Sequence, residues 1–397
     1  MRKAIFLAIA LLWPTSPGLW AADLMAFWAT PQRGANSFNR LPPGQGYFEA
    51  LSATGATWVR LAYDKWPAGE VDFLIGNADG YKGLASQDLQ TLIGTLDRTH
   101  RAGLKVVIAP LSLPLMRWSQ NNGGRFDDRL WADTQNWRAA ATFWQDLARA
   151  LRDHPAVAAY NLVNEPAPER HGGLAEHAPQ ADGHAWYAAR QGTGRDLPAF
   201  YTQVVKAIRE VDPHTPIMLD AGWYAAADGF SYWPVPLADR NVLYSVHMYE
   251  PWKATSDPSM FNRPLHAYPG LAPFAEHQQF WGKARVADYL GSFTRWARGA
   301  GVPPQHLVLG EFGCLRRWPG CGAYLTDVLD VTEQAGVHWA FYAFREDAWD
   351  GMDYELGTRP VPWAYWKAIE AGTPDPLPRH GSPLFEIIQR RLKPAAQ

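Results

Sequence analysis

One pattern occurs twice in the chain, as AYNLVNEP in residues 159–166 and as HLVLGEFG in residues 306–313. In each segment an apolar run ends at a glutamate, Glu165 or Glu311, and a Pro or Gly follows within two residues. An apolar run that a chain breaker ends in this way predicts a buried β-strand with a carboxylate at its carboxyl end. Hydrolysis of a glycosidic bond needs such a pair, because one carboxyl group protonates the leaving oxygen and the other attacks or stabilises the sugar carbon.

These two segments are the fourth and seventh of a series of predicted strands. The series covers residues 33–38, 57–61, 104–109, 159–166, 217–220, 242–247, 306–313 and 337–342. Helical runs follow most strands, at residues 47–55, 89–103, 137–154, 197–211, 284–298, 323–335 and 362–371. This alternation over one uninterrupted stretch predicts a single α/β domain folded as a (β/α)8 TIM barrel. A doubly wound open sheet is the alternative, but no Gly-rich phosphate-binding turn follows the first strand.

Three long connections interrupt the alternation, at residues 62–87, 166–196 and 250–283. They follow predicted strands two, four and six. Since the loops after the strands build the catalytic face of a TIM barrel, all three are expected at that face. Loops of this length predict a deep groove, or a pocket in place of an open cleft.

The composition fits a large globular enzyme and argues against nucleic acid as a partner. The chain has 397 residues, of which 47% are hydrophobic and 19% are charged, so a sizeable core is expected. The formal net charge is -2, and no Lys/Arg-rich run is present. The 20 tryptophans fit a large aromatic core, and those left over would suit a cleft in which flat rings stack on sugars.

The N-terminus has the pattern of a secretory signal, with two basic residues, an apolar run over residues 4–13 and alanines at positions 21 and 22. We therefore expect a signal peptide over residues 1–22, a barrel domain over residues 23–397 and a tail from about residue 373 that packs outside the barrel. The protein is expected to be exported, monomeric and without stable membrane insertion once the signal is removed. An uncleaved anchor is the alternative, because Leu and Trp precede the two alanines.

The chain has two cysteines, Cys314 and Cys321. A close pair in an exported protein is expected to form a disulfide, which here would link the loop that follows Glu311. A zinc site is not expected, because no matching pair of His or Cys ligands accompanies them. Two free thiols would be the alternative if the protein were not exported.

Further candidate site residues lie at predicted strand ends. Arg60 ends strand two, and a cation beside Glu311 would keep that carboxylate ionised, as a nucleophile must be. Glu165 needs a raised pKa so that it arrives protonated, and a neighbouring carboxylate and partial burial both act in that direction. A single glutamate or arginine at a strand end is more often solvated or paired in a salt bridge, so the argument depends on the whole set.

The remaining members of the set would bind or orient. Asn164 is suited to hydrogen-bond a sugar 2-hydroxyl group, and His247 and Tyr249, which follow strand six, are suited to orient the two acids. Three histidines in the loop after strand four, at positions 171, 177 and 184, are not expected to bind a metal, because no rigid helix sets their geometry.

These motifs resemble those of glycoside hydrolase family 5, the cellulase-like family of retaining β-glycosidases. The resemblance covers residues 34–371 and rests on Asn164-Glu165-Pro166, His247-x-Tyr249, Gly310-Glu311-Phe312-Gly313 and the arginine in Trp58-Val59-Arg60-Leu61. It implies that Glu165 is the acid/base, that Glu311 is the nucleophile, that the substrate is a β-linked glycan and that no cofactor is needed.

The chain departs from that family in two places. Where the family usually has a histidine near the end of strand three, the chain reads Ala109-Pro110-Leu111-Ser112. Where the family usually has a tryptophan at the end of strand eight, the chain has Tyr342 and Phe344, with Trp349 in the loop beyond. Each of these three aromatic residues is a candidate to replace the missing ring, and the sugar-binding subsites are expected to differ accordingly.

The sequence therefore predicts an exported retaining β-glycosidase that acts on a β-linked glycan or glycoside by double displacement. A transglycosylase that remodels a polysaccharide, with a sugar in place of water in the second step, is one alternative. A non-catalytic glycan-binding barrel is another, although binding alone does not require two acids.

Overall fold

The structure is a computed structural model that describes residues 24–347, 349–371, 373, 379 and 381–393. A closed barrel of parallel strands forms its centre, with strand order β1-β10-β9-β6-β5-β4-β3-β2. The barrel strands are β1 (Arg33–Ser37), β2 (Trp58–Leu61), β3 (Lys105–Ile108), β4 (Val157–Asn161), β5 (Ile217–Asp220), β6 (Val242–Met248), β9 (Leu307–Phe312) and β10 (His338–Phe341). The predicted TIM barrel is thus confirmed. The expected signal peptide lies outside the described residues.

Helices surround the barrel and connect its strands. They are α1 (Gln45–Ala53), α2 (Ser86–Arg101), α3 (Trp137–Leu151), α4 (Gln180–Arg190), α5 (Leu197–Arg209), α6 (Gly222–Ala225), α7 (Trp252–Thr255), α8 (Lys283–Gly299), α9 (Cys321–Gln334), α10 (Trp363–Glu370) and α11 (Pro383–Leu392). Among the described residues, none of these helices combines the length and apolarity needed to cross a bilayer.

Helix α3 shows how the sequence specifies this outer layer. Its buried residues recur at helical spacing and include Trp137, Ala140, Trp144, Leu147 and Leu151, so one face packs against the barrel. The polar residues between them face solvent. The next long helix, α5, begins at the Asp196 cap, whose side chain accepts a hydrogen bond from the backbone N–H of Ala199.

The barrel interior is divided into two layers. An apolar layer of Trp58, Val107, Met218, Leu243 and Val308 fills its lower part. The indole of Trp28 packs against this layer from below and donates a hydrogen bond to the main-chain oxygen of Ala158 at 3.1 Å. Polar side chains occupy the layer above, so the chemistry is placed at the carboxyl ends of the strands.

Two of the three long connections contain structure that the sequence analysis treated as loop. The segment after β4 contains α4, and the segment after β6 contains α7 and an antiparallel hairpin of β7 (Gly270–Phe274) and β8 (His277–Trp281). The strand ends also differ, because β4 stops four residues before Glu165 whereas Glu311 lies inside β9.

Helix α11 lies outside the barrel at the seam where β1 meets β10. Arg391 on α11 donates to the Glu333 carboxylate at 2.7 Å, and Arg33 on β1 pairs with the same carboxylate at 3.0 Å. Phe385 packs its ring against Phe341 of β10, with ring centroids 6.1 Å apart. The helix therefore joins the first and last barrel strands to α9.

Candidate active site

A cavity of about 490 Å3 opens at the carboxyl ends of the barrel strands. Its floor contains Asn164, Glu165, His247, Tyr249 and Glu311, which the sequence analysis had grouped as candidates. Its walls come from segments that follow the barrel strands and carry a ring of aromatic side chains, Phe38, Trp118, Trp223, Tyr224, Trp252, Tyr289, Tyr342 and Trp349. The structure thus brings the strand-end candidates to one place.

Arg60 lies directly beneath this floor and is fully buried. Its guanidinium donates to the carboxylate of Glu311 at 2.5 Å and to the amide oxygen of Asn164 at 2.7 Å. The remaining donors reach three further acceptors, namely Asn161 at 2.8 Å, Asn36 at 3.2 Å and Asp220 at 3.3 Å. All five side-chain N–H groups of an arginine can be used in such a fork, which fixes the orientation of every partner.

Glu311 is held from two sides. Arg60 contacts one carboxylate oxygen, and the hydroxyl of Tyr249 donates to the other at 2.8 Å. Gly310 before it leaves room for the neighbouring strand, because a Cβ atom there would lie 2.4 Å from the hydroxyl oxygen of Ser245 and 3.3 Å from Nε2 of His247. The glycine therefore permits the close packing of β6 and β9 that places Glu311.

Glu165 has a different environment. It is partly exposed to the cavity, its backbone has a φ of 49°, and its N–H donates to the Asp220 carboxylate at 3.2 Å. Its side chain contacts Nδ1 of His247 at 2.8 Å. Burial raises the pKa of Glu165, and the charges of Glu311 and Asp220 raise it further, whereas the hydrogen bond to His247 opposes this effect. The net direction favours a protonated carboxyl group.

The two acids are close together. A carboxylate oxygen of Glu165, one of Glu311 and a ring nitrogen of His247 all lie within 4.8 Å of one another. Retaining glycosidases place their two carboxyl groups about 5–5.5 Å apart, and inverting enzymes place them about 6.5–9.5 Å apart to leave room for a water molecule. The observed spacing fits the retaining arrangement.

The chain matches the family model for cellulase, glycosyl hydrolase family 5, over residues 27–348, which is most of its length. The chain belongs to glycosyl hydrolase family 5. Membership confirms the predicted class, a glycoside hydrolase, and favours hydrolysis over the transglycosylase and glycan-binding alternatives. The family region includes the whole barrel, Arg60 and all five residues of the cavity floor.

Individual relatives are distant. The chain is 24% identical over 273 residues to a beta-xylosidase of Phanerodontia chrysosporium, covering 64% of this chain and 49% of that protein. It is 23% identical over 340 residues to a probable glucan 1,3-beta-glucosidase A of Neosartorya fischeri, covering 83% and 70%. The chain thus spans about half the length of the xylosidase that it matches.

Solved structures share the fold of this family 5 barrel. The endoglucanase Cel5A of Pseudomonas stutzeri in complex with cellobiose superposes with a TM-score of 0.59 at 18% identity, covering 91% of this chain and 92% of that one. The endoglucanase Cel5A of Thermotoga maritima gives a TM-score of 0.57 at 15% identity, covering 81% and 91%. At these identities the likeness establishes the barrel and its topology.

Two of the three aromatic candidates for the missing family 5 tryptophan reach the cavity. Tyr342 and Trp349 both line it, with ring centroids 6.2 Å apart, and the Tyr342 hydroxyl donates to Glu346 at 2.8 Å. Phe344 is not among the lining residues. Its ring packs against Tyr47 at a centroid distance of 5.3 Å, so it supports the loop from outside the cavity.

The disulfide between Cys314 and Cys321 is present, as predicted. Both cysteines are buried, and the bridge closes the turn between the end of β9 and the start of α9. It therefore lies two residues after the strand that carries Glu311.

The structure also assigns places to residues that the sequence analysis did not select. Asn36, Asn161 and Asp220 surround Arg60. Asp220 is the last residue of β5 and Arg60 lies one residue before the end of β2, so the same strand-end rule would have found Asp220. In the loop after β4, His171 and His184 are exposed on the surface. His177 instead lies on the cavity wall, 3.9 Å from Glu176 and 3.5 Å from Glu250.

Proposed function

We propose that this family 5 protein is a retaining β-glycosidase with Glu165 as acid/base and Glu311 as nucleophile. The observation that carries the proposal is the unlike surroundings of two carboxyl groups whose oxygens lie within 4.8 Å. Glu311 receives a buried cation and a phenolic hydroxyl, which favour its anion. Glu165 has a raised pKa and borders the cavity, which favours a proton that it can donate.

The reaction proceeds in two displacements. Glu311 attacks the anomeric carbon while Glu165 gives its proton to the leaving oxygen, and a covalent glycosyl-enzyme forms. Glu165, now a carboxylate, removes a proton from water, which attacks the same carbon and releases the sugar with its original configuration. Because the amide oxygen of Asn164 is bound to Arg60, the NH2 group of the same amide serves as a donor to the sugar 2-hydroxyl.

The substrate class follows from the cavity and from the relatives. The relatives are named as a xylosidase and a 1,3-glucosidase, and the solved neighbours as endoglucanases, so we propose a β-linked glucan or xylan-type glycoside. Trp118, Trp349 and Tyr342 line the cavity and offer faces on which a pyranose ring can stack.

The roles of the two acids are tested with an activated aryl β-glycoside and azide. Glu165→Ala should still form the glycosyl-enzyme but stall before its hydrolysis, and azide should restore turnover and give a β-glycosyl azide. Glu311→Ala cannot form that intermediate, so any azide product from it should have the α configuration. A surface variant, Glu210→Ala, serves as the control for handling and folding.

Two outcomes would overturn the proposal. If the two azide configurations were exchanged, the acid/base and nucleophile assignments would be reversed. If wild-type enzyme released the sugar with inverted configuration, as read by NMR immediately after mixing, the double displacement would be wrong.

We also propose that the protein is exported. The disulfide and the basic, then apolar N-terminal sequence support this location, since disulfides persist in oxidising compartments. Cell fractionation and N-terminal sequencing of the mature protein test it. A full-length protein with two alkylatable thiols in the cytosol would contradict it.

A further inference from the structure

Asp220 occupies a central position beneath the proposed acid pair. It is the last residue of β5, is fully buried and does not line the cavity. Its Oδ2 atom accepts from the backbone N–H of Glu165 at 3.2 Å and from Arg60 at 3.3 Å. Its Oδ1 atom accepts from the side chain of Asn161 at 3.2 Å. One carboxylate therefore contacts both the backbone of Glu165 and Arg60, the residue that donates to Glu311.

Asp220 also faces His247. Nδ1 of His247 lies 2.8 Å from the Glu165 carboxylate, and Nε2 lies 3.6 Å from Oδ2 of Asp220. Nε2 is buried and has no hydrogen-bond partner in the part of the chain that the structure describes. A separation of 3.6 Å is longer than a hydrogen bond, but a positive charge on the ring would be attracted strongly at that distance in a buried site. The imidazole is thus placed between two carboxylates.

The charges around the ring balance only if the ring is cationic. Arg60 and an imidazolium at His247 supply two positive charges, Asp220 and Glu311 supply two negative charges, and Glu165 is left free to hold its proton. Burial by itself lowers the pKa of His247, but the charges of Glu311, Asp220 and Glu165 outweigh it and raise that pKa.

The other titratable groups around this cluster are of two kinds. Tyr201 on α5 donates to the main-chain oxygen of Asp220 at 2.8 Å, and Tyr249 donates to Glu311. Tyr342 and Tyr224 lie farther out on the cavity wall. Glu176, on the loop after β4, adds a negative charge near Glu165. The phenols stay neutral at the pH of interest, and Glu176 acts in the same direction as Asp220.

We propose that Asp220 is the positioning residue of this site, which holds His247 as an imidazolium against Glu165 and fixes Arg60 against Glu311. The inference rests on the proposed roles of the two glutamates. When Glu165 gives its proton to the leaving group, its new negative charge forms beside the imidazolium. The transition state in which that charge develops is stabilised by a cation that Asp220 keeps in place.

The first test uses the unmodified enzyme. With 15N-labelled histidine, the ring nitrogens of His247, assigned by comparison with His247→Asn, should have the chemical shifts of a doubly protonated ring at the pH at which the enzyme is most active. A neutral ring with Nε2 unprotonated under those conditions would overturn the proposal, and this result does not depend on the folding of an Asp220 variant.

The second test is Asp220→Asn, which keeps the size of the side chain and removes its charge. The pKa of His247 should fall, and kcat should fall by about 100-fold, the loss expected when a reacting group is displaced by about 1 Å. KM should change little, because Asp220 lies outside the cavity lining. The loss should be larger for aryl glycosides with poor leaving groups, which need the proton of Glu165, than for activated ones.

Asp212→Asn is the matched control. Asp212 is also buried and accepts hydrogen bonds from the Tyr160 hydroxyl at 3.0 Å and the Thr215 backbone at 2.9 Å, but it lies before β5, at the opposite end of the barrel. It should lower stability without moving the His247 titration. If Asp220→Asn behaves like this control, the inference is wrong. If the wild type itself inverts configuration, the proposed function fails instead, so the two failures are distinguishable.

Discussion

Replacing Arg60 with lysine separates the geometry of the buried cation from its charge. Arg60 donates to five side chains, and a lysine ammonium has only three hydrogens, so at least two buried acceptors lose their donor. An unsatisfied buried acceptor costs about 1–3 kcal/mol, so the free energy of unfolding should fall by roughly 2–6 kcal/mol. The positive charge near Glu311 remains, and any loss of reactivity therefore reports its orientation.

The reactivity of Glu311 is measured by trapping with a 2-deoxy-2-fluoro-β-glycosyl fluoride, followed by mass analysis of the peptide that contains residue 311. Trapping by Arg60→Lys should be about 100-fold slower than by the wild type. Arg209→Lys is the control, since Arg209 also makes a fork, to Asp239, Asp212 and Thr215, at the other end of the barrel. It should reduce stability and leave trapping unchanged. Wild-type trapping by a folded Arg60→Lys enzyme would refute the argument.

Two further predictions concern stability. Burial raises the pKa of Glu169 from 4.5 to about 7. The contribution of the protonated Glu169 to the free energy of unfolding is therefore complete below about pH 4.5 and is lost as the pH rises through 7. Glu169→Gln should remove about 3 kcal/mol of pH dependence from thermal unfolding measured between pH 5 and 8, and an unchanged slope would contradict this. Cys314→Ala with Cys321→Ala opens a loop of sequence separation 7 and should cost about 2–3 kcal/mol. Equal melting temperatures with and without the bridge would show that the loop is already fixed by packing.

The barrel was predictable because each strand is encoded locally. Strand β5 matches its predicted bounds, residues 217–220, since a short apolar run stands between clear breakers. The acids and Arg60 were predictable for the same reason, because parallel strands in a barrel end at one face. Asp220 was inside a predicted strand, but its role depends on which side chains it meets across the closed barrel, and a single strand does not contain that information.

The long connections were harder to predict from the sequence. Strand β7 contains Pro273, and a proline usually argues against a strand. The strand forms here because it pairs with β8 in a two-stranded hairpin, in which both strands are edge strands. Helix α4 contains Gly183, which lowers helical propensity, and a Cβ atom at this position would lie 2.0 Å from the ring of Tyr232. Packing therefore decides both elements, and with them the position of His177 on the cavity wall.

The contact of α11 with the barrel seam has a consequence for the order in which the protein folds. The strands that meet at the seam, β1 and β10, are about 300 residues apart, and the helix that joins them to α9 comes after all eight barrel strands in the chain. Contacts between such distant segments form late, because the loop between them must close first. A ribosome-bound chain that lacks residues 383–392 also lacks the contacts of α11, so the seam gains this outer support only after synthesis has passed this point. If the protein is exported as proposed, late support of the seam favours a chain that is still unfolded when it reaches a translocation channel.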